Sequence, residues 1–133
     1  MFKAHPVSEI MLLVMNKIGV IEEIAKHISE KGINILAFNG TVIGEKAIFR
    51  MVTDDNLRAM EALKTLNCHP FENHAVLVEL PHKPGMLRQI FEKLSCENIS
   101  IHHIYSTSVS TAETASIVLS CSRNDHAVVI LNG

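Results

Sequence analysis

The chain has 133 residues, 47% hydrophobic and 20% charged, a balance that suits one ordinary folded domain or two small modules and excludes a long multidomain enzyme or a disordered chain. Twelve Lys and Arg face fourteen Asp and Glu, a formal charge of −2, so no cationic excess favours phosphate backbones and nucleic acid is not an expected partner. The longest apolar run, Ile10 to Met15, holds six residues, where a spanning helix needs about 20.

The start, Met1-Phe2-Lys3-Ala4-His5-Pro6, lacks the apolar stretch of a secretory signal. A cytoplasmic protein with no membrane partner is the expectation. Cys68, Cys96 and Cys121 are odd in number and form no Cys-x-x-Cys pair. They read as reduced, mostly buried thiols rather than a disulfide framework or zinc ribbon.

In chain order, Ile10 to Met15 reads as a first strand and Asn16-Lys17-Ile18-Gly19 as its exit. After Gly19 the apolar positions Val20, Ile21, Ile24, Ala25 and Ile28 form the one-sided stripe of a helix. Ile33 to Phe38 is β-rich, Gly44-Glu45 closes a hairpin, and Ala47 to Val52 is the returning strand. Asp54 or Asp55 then caps a helix carrying Leu57, Met60, Leu63 and Leu66, ended by Asn67 and Pro70. A short strand over Cys68 to Glu72 completes this unit, and a link at Glu72-Asn73 leads to the next.

The same order then recurs. Sliding Val14–Thr41 by 66 residues onto Leu80–Thr107 gives seven identities in 28 pairs, among them Gly19/Gly85, Ile24/Ile90 and Ile35/Ile101, the mark of an internal repeat. The strand Ala75 to Leu80 precedes His82-Lys83-Pro84-Gly85, and Met86, Leu87, Ile90, Phe91 and Leu94 repeat the helical stripe. Ile99 to Tyr105 and Ala115 to Ser120 are the next strands, joined by a longer turn over Ser108 to Glu113. Residues 126–131 align with a helix in spite of the β-formers Val128, Val129 and Ile130, and the chain then has no room for a last strand.

Strand, helix, strand, strand, helix, strand is the split βαβ motif of ferredoxin-like units. The expected class is α+β: two βαββαβ modules side by side, antiparallel sheets with helices on one face, the second module short of its last strand. Exposed sheet edges tend to be paired, so a homodimer is expected.

The two strand-to-helix junctions are the candidate chemistry. A glycine opening a helix permits a tight turn and leaves outward N–H groups at the positive end of the helix dipole, which suits a carboxylate. The plain alternative is that Gly19 and Gly85 only permit the turn.

These residues carry a family resemblance. Asn16-Lys17-Ile18-Gly19-Val20 with Gly32-Ile33-Asn34-Ile35, and His82-Lys83-Pro84-Gly85-Met86-Leu87 with Asn98-Ile99-Ser100-Ile101, resemble the twice-repeated signature of ACT domains, regulatory modules that bind amino acids. The resemblance covers residues 8–72 and 74–131. In serine-binding members an Asn in the loop and an Asn opening the second strand hold the ligand across a domain interface, and Asn16 and Asn34 match those places.

His82 and Ser100 stand at the equivalent places in the second copy, and Ile18 replaces the usual Pro, so binding by both copies is left open. Asn34 is also readable as an ordinary polar residue at a strand end. The resemblance implies a ligand site made of Asn16, Ile18, Gly19, Val20, Asn34, His82, Pro84, Gly85, Met86 and Ser100. It implies no cofactor, an amino acid as ligand, and a metabolic enzyme as the regulated partner.

Two other functions stay in view: a regulatory or assembly subunit without a small ligand, and a nickel or other transition-metal sensor built on the eight histidines. Against the metal, adjacent His102 and His103 on a strand point to opposite faces. An RNA-binding sheet would need stacking aromatics on its central strands, which Phe38, Phe49 and Tyr105 do not supply in the required pattern. The carboxylate pairs Glu22-Glu23 and Asp54-Asp55 fall on a solvated helix face and a cap, and no Gly-x-Ser-x-Gly or P-loop occurs. No catalytic residue is expected.

Overall fold

The computed structural model describes residues 1–66, 68–107 and 112–133; Asn67 and most of the expected Ser108 to Glu113 turn lie outside the described residues. The elements are β1 (Lys3–Met15), α1 (Val20–Ser29), β2 (Ile35–Ile43), β3 (Lys46–Thr53), α2 (Asn56–Lys64), β4 (Phe71–Pro81), α3 (Met86–Cys96), β5 (Ile101–Thr107), β6 (Thr114–Cys121) and α4 (Asn124–Asn132). This is the α+β class, with two ferredoxin-like modules. The chain divides into a unit of Ser8–Asn73 and a unit of Met1–Val7 with His74–Gly133.

In the Ser8–Asn73 unit the strands run in the order β2, β3, β1, antiparallel throughout. Leu12 stands opposite Phe49 and Ile10 opposite Met51, and these side chains meet Ile24 and Ile28 of α1 and Leu63 of α2 in one apolar core. Each side chain of that size contributes about 1.5–3 kcal/mol on leaving water.

The helices face inward along narrower rows than the stripes suggest. On α1, Val20, Ile24 and Ile28 turn to the core, whereas Ile21 is 51% exposed and Ala25 is exposed. Residues four apart share a face on a helix, and their i+1 neighbours look away from the sheet. On α2 the expected Leu57 is 71% exposed, and Ala59, Ala62 and Leu63 are buried instead. Asp55 is the cap, its carboxylate accepting from the Arg58 N–H at 3.2 Å, while Asp54 accepts from the Asn34 N–H at 3.0 Å.

In the other unit β4, β6 and β5 lie in that order, also antiparallel. Val78, Ile117 and Leu119 pack with Ile90 and Leu94 of α3 and Leu131 of α4. Residues 124–132 are helical as the repeat implies. Ala127 and Leu131, four apart and buried, fix that helix against the β propensity of the valines between them, because packing overrides local preference.

The missing strand comes from the other end of the chain. Phe2 and Ala4 sit in the core of this unit, and Ala4 donates its N–H to Asn132 Oδ1 at 2.7 Å and accepts from Asn132 Nδ2 at 2.7 Å. β1 therefore starts at Lys3, not Ile10, and runs through Pro6, a residue that strands tolerate only where its missing N–H is not needed. The expected break at Glu72-Asn73 is likewise absent: one strand, Phe71–Pro81, replaces the separate segments Cys68 to Glu72 and Ala75 to Leu80. No glycine or proline stands there to force a turn. Cys96 is exposed, contrary to the reading of mostly buried thiols, while Cys68 is half-buried and Cys121 buried.

Candidate functional site

The two strand-to-helix loops are built alike in most of their backbone bonds, the second adding one from the Lys83 N–H to Pro81 O at 3.1 Å. The Asn16 N–H donates to Glu45 O at 2.8 Å and the His82 N–H to Glu113 O at 2.9 Å, so each loop is tied to the hairpin turn beside it. Val20 N–H reaches Lys17 O at 3.2 Å and Met86 N–H reaches Lys83 O at 3.4 Å. Gly19 and Gly85 make these turns at φ of +88° and +89°, a region that a side chain strains, with open space where a Cβ would stand. Neither α1 nor α3 has a side-chain cap, so first-turn N–H groups after those of Val20 and Met86 stay available at the positive end of each dipole.

Beyond the backbone the modules differ. At the opening of α3 lies a cleft of about 490 Å³, within the range of small-molecule sites. His82, Pro84, Gly85 and Met86 line it together with Lys83, Arg88 and Ser106 over an apolar floor of Leu80 and Ile117. Arg88 Nε donates to Glu92 Oε1 at 3.0 Å. The cavity near α1 is smaller, about 380 Å³; Val14, Met15, Lys17 and Val20 stand where Leu80, Pro81, Lys83 and Met86 line the other, but it extends against Leu66, Cys68 and His69. Val20 is the expected site residue on its wall, beside Lys17 and Glu23. The Ile18 side chain stands fully in solvent.

Burial pushes the Cys68 thiol on that wall above its ordinary 9.0, and it donates to Leu63 O at 3.0 Å. Burial raises the Cys121 thiol in the same direction.

Asn34 and Ser100 sit at the opposite ends of their own modules. Asn16 follows the end of β1 that pairs with Lys46, whereas Asn34 precedes Ile35, which pairs with Thr53; seven residues of strand separate the two ends, about 23 Å. Both residues close a turn. Asn34 O accepts from Asp54 N–H at 3.1 Å, and Ser100 exchanges backbone and hydroxyl bonds with Ser122 at 2.8 and 3.0 Å. Within one unit they do not meet the loop residues.

Arg88, Ser106 and Ile117 were not singled out in the sequence, and Lys83 stood there only within the loop motif, although the repeat sets the four against Glu22, Gly40, Phe49 and Lys17. Among the described residues no three of His, Cys, Asp and Glu gather to hold a metal ion, and no helix is long and apolar enough to cross a membrane.

Comparison with known proteins bears on the fold and the family. A protein from Bacteroides thetaiotaomicron superposes with a TM-score of 0.89 at 24% identity, over 97% of this chain and 88% of that one. The ligand-free regulatory subunit of aspartate kinase from Thermus thermophilus gives 0.69 at 14% identity, over 97% and 94%, and its counterpart from Thermus flavus gives 0.64 at 15%, over 98% and 95%. At these identities the likeness is one of fold. Among curated proteins none matches. The family model of the ACT domain pair matches residues 6–132, nearly the whole chain, and the chain belongs to that family.

Proposed function

We propose that this protein is a non-catalytic regulator that binds a small molecule, an amino acid, at a loop opening the first helix of a module and acts on a partner metabolic enzyme. The observation that carries the reading is the cleft at α3, where His82, Pro84, Gly85 and Met86 converge on an uncapped helix start. A carboxylate there would accept from free backbone N–H groups and meet the positive end of the dipole. That solved regulatory subunits of aspartate kinase share the fold supports a metabolic enzyme as the kind of partner.

Regulation requires that the ligand favour one arrangement of the assembly over another, since a ligand with equal affinity for both shifts nothing. A second copy is the natural assembly partner: edge strand β2 leaves Leu36, Val42 and Ile43 exposed, and such edges invite pairing.

Thermal unfolding against each of the twenty amino acids, nickel and zinc, with chelator-treated protein as reference, tests the reading. Ligand at 100 times its Kd adds about 2.7 kcal/mol, a rise of several degrees for a domain of this size. One or two amino acids are expected to give it. No shift with any amino acid overturns the reading, and a shift with nickel alone moves the function to the metal sensor.

A further inference from the structure

The two modules share the backbone bonds that tie the loop to its hairpin and open its helix, yet differ in space and in charge at the same place. In the Ser8–Asn73 unit, Gly40 of β2 stands directly opposite Phe49 of β3. The Phe49 ring covers that glycine so closely that a Cβ on Gly40 would lie 2.9 Å from two of its ring carbons. Phe38 adds a second ring, 5.6 Å from the first between centroids. In the other unit the equivalent pair is Ser106 opposite Ile117. The smaller aliphatic chain leaves the volume over β5 open, and both residues line the cleft of about 490 Å³.

Charge differs in the same sense. The first turn of α1 carries Glu22 and Glu23, and that of α3 carries no acid. Carboxylates in a first turn already satisfy the dipole and repel a second anion. Arg88, which replaces Glu22 in the repeat, is a cation placed against the dipole of its own helix, a placement that an anion alongside would relieve. Arg88 is partly engaged by Glu92, while Lys83 adds a second cation to the lining and, among the described residues, no carboxylate belongs to it.

We infer that the two loops are not equivalent, and that the cleft at α3 is the chain's one ligand site, selective for a monocarboxylate with an apolar tail. The inference rests on the regulatory reading above and narrows it. Lys83, Arg88 and the helix start face the carboxylate, and Leu80, Met86 and Ile117 receive the tail. With no acid among the described residues of the lining, an α-ammonium group gains no counter-ion there. A deaminated analogue therefore binds about as well as the amino acid, and the amine alone does not. In the first module the place over Gly40 is covered by Phe49, and the first turn of α1 carries Glu22 and Glu23.

Isothermal titration calorimetry of the full chain with L-leucine, 4-methylpentanoate and 3-methylbutylamine tests this. The acid-bearing probes are expected to bind with one site per chain and the amine not at all. Ser106→Gly with Ile117→Phe, which copies the first module into the second, is expected to weaken both acids at least tenfold. Arg88→Glu, at an exposed position where folding is not at stake, is expected to weaken them at least threefold.

Two sites per chain, undiminished binding in both variants, or an amine that binds like the acids would overturn the inference. Binding of a polar amino acid but not of leucine or 4-methylpentanoate would overturn it and leave the regulatory reading standing. Binding of 4-methylpentanoate with no amino acid would support the cleft and overturn the amino acid as ligand.

Discussion

Asn56 and Asn124 occupy the same place in the two modules and make the same bonds. Asn56 Oδ1 accepts from the Thr53 N–H at 3.1 Å, and its Nδ2 donates to Ser8 O at 2.8 Å. Asn124 Oδ1 accepts from the Cys121 N–H at 2.9 Å, and its Nδ2 donates to His74 O at 3.1 Å. Each amide thus closes the end of a strand onto the first turn of the following helix and pins a second strand by its carbonyl. Replacing either by Ala strands a donor and an acceptor, at about 1–3 kcal/mol for each buried group left without a partner. Asn56→Ala and Asn124→Ala should each lower the urea midpoint with little change in the slope of the transition; an unshifted midpoint in both would show the bonds to be incidental.

The N-terminal residues should be structural. Phe2 is buried among Val76, Val78 and Leu131, and truncating a buried Phe costs about 3–5 kcal/mol. Phe2→Ala should bring the melting temperature down by more than Asn132→Ala, which removes the two 2.7 Å bonds to Ala4 but leaves the core filled. A Phe2→Ala protein that melts like the parent would mean that the N-terminal stretch contributes nothing to the unit it joins.

What could be read from the sequence was local. The rows Ile24/Ile28 and Ile90/Leu94, and the glycines at 19 and 85, follow from helical spacing and from the turn before a helix, so the repeat and the class of fold were legible. The strand supplied by Phe2 and Ala4 was not, because its partner Asn132 lies 128 residues away and no periodicity records a pairing across the whole chain. Ile21 and Leu87 are as apolar as their inward neighbours yet face solvent, since a helix lying on a sheet buries one row. The loop residues of the candidate site were visible as motif. The cleft was not, because it depends on which side chain of β6 stands opposite Ser106, and that needs the register of β5 against β6.

The three thiols should separate by reactivity. Cys96 is exposed, while burial raises the thiols of Cys68 and Cys121 above 9.0, so at pH 8 they hold less of the reactive thiolate. A disulfide reagent should label Cys96 first and the other two only slowly. Because the folded state holds these two protons more tightly than the unfolded chain, their contribution to stability is whole below pH 9 and is lost as pH rises through the raised values. Equal labelling rates in the native protein, or a melting temperature indifferent to pH between 8 and 11, would contradict this.

The crowding of Gly40 by Phe49 should appear as an energetic coupling. Gly40→Ala places a methyl 2.9 Å from ring carbons Cδ1 and Cε1, and overpacking of this kind costs about 1–3 kcal/mol. Phe49→Ile, which installs the residue of the other module, removes the ring and leaves a void in the core, a loss of similar size. Together the two changes should cost less than their sum, by at least about 1 kcal/mol, because the new methyl enters space the ring has vacated; contacting residues give couplings of about 0.5–3 kcal/mol. Chemical denaturation of the two single variants and the double variant measures this directly. Strict additivity would mean that the ring yields freely at Gly40, and the steric difference between the two modules would then be too soft to exclude a ligand from the first.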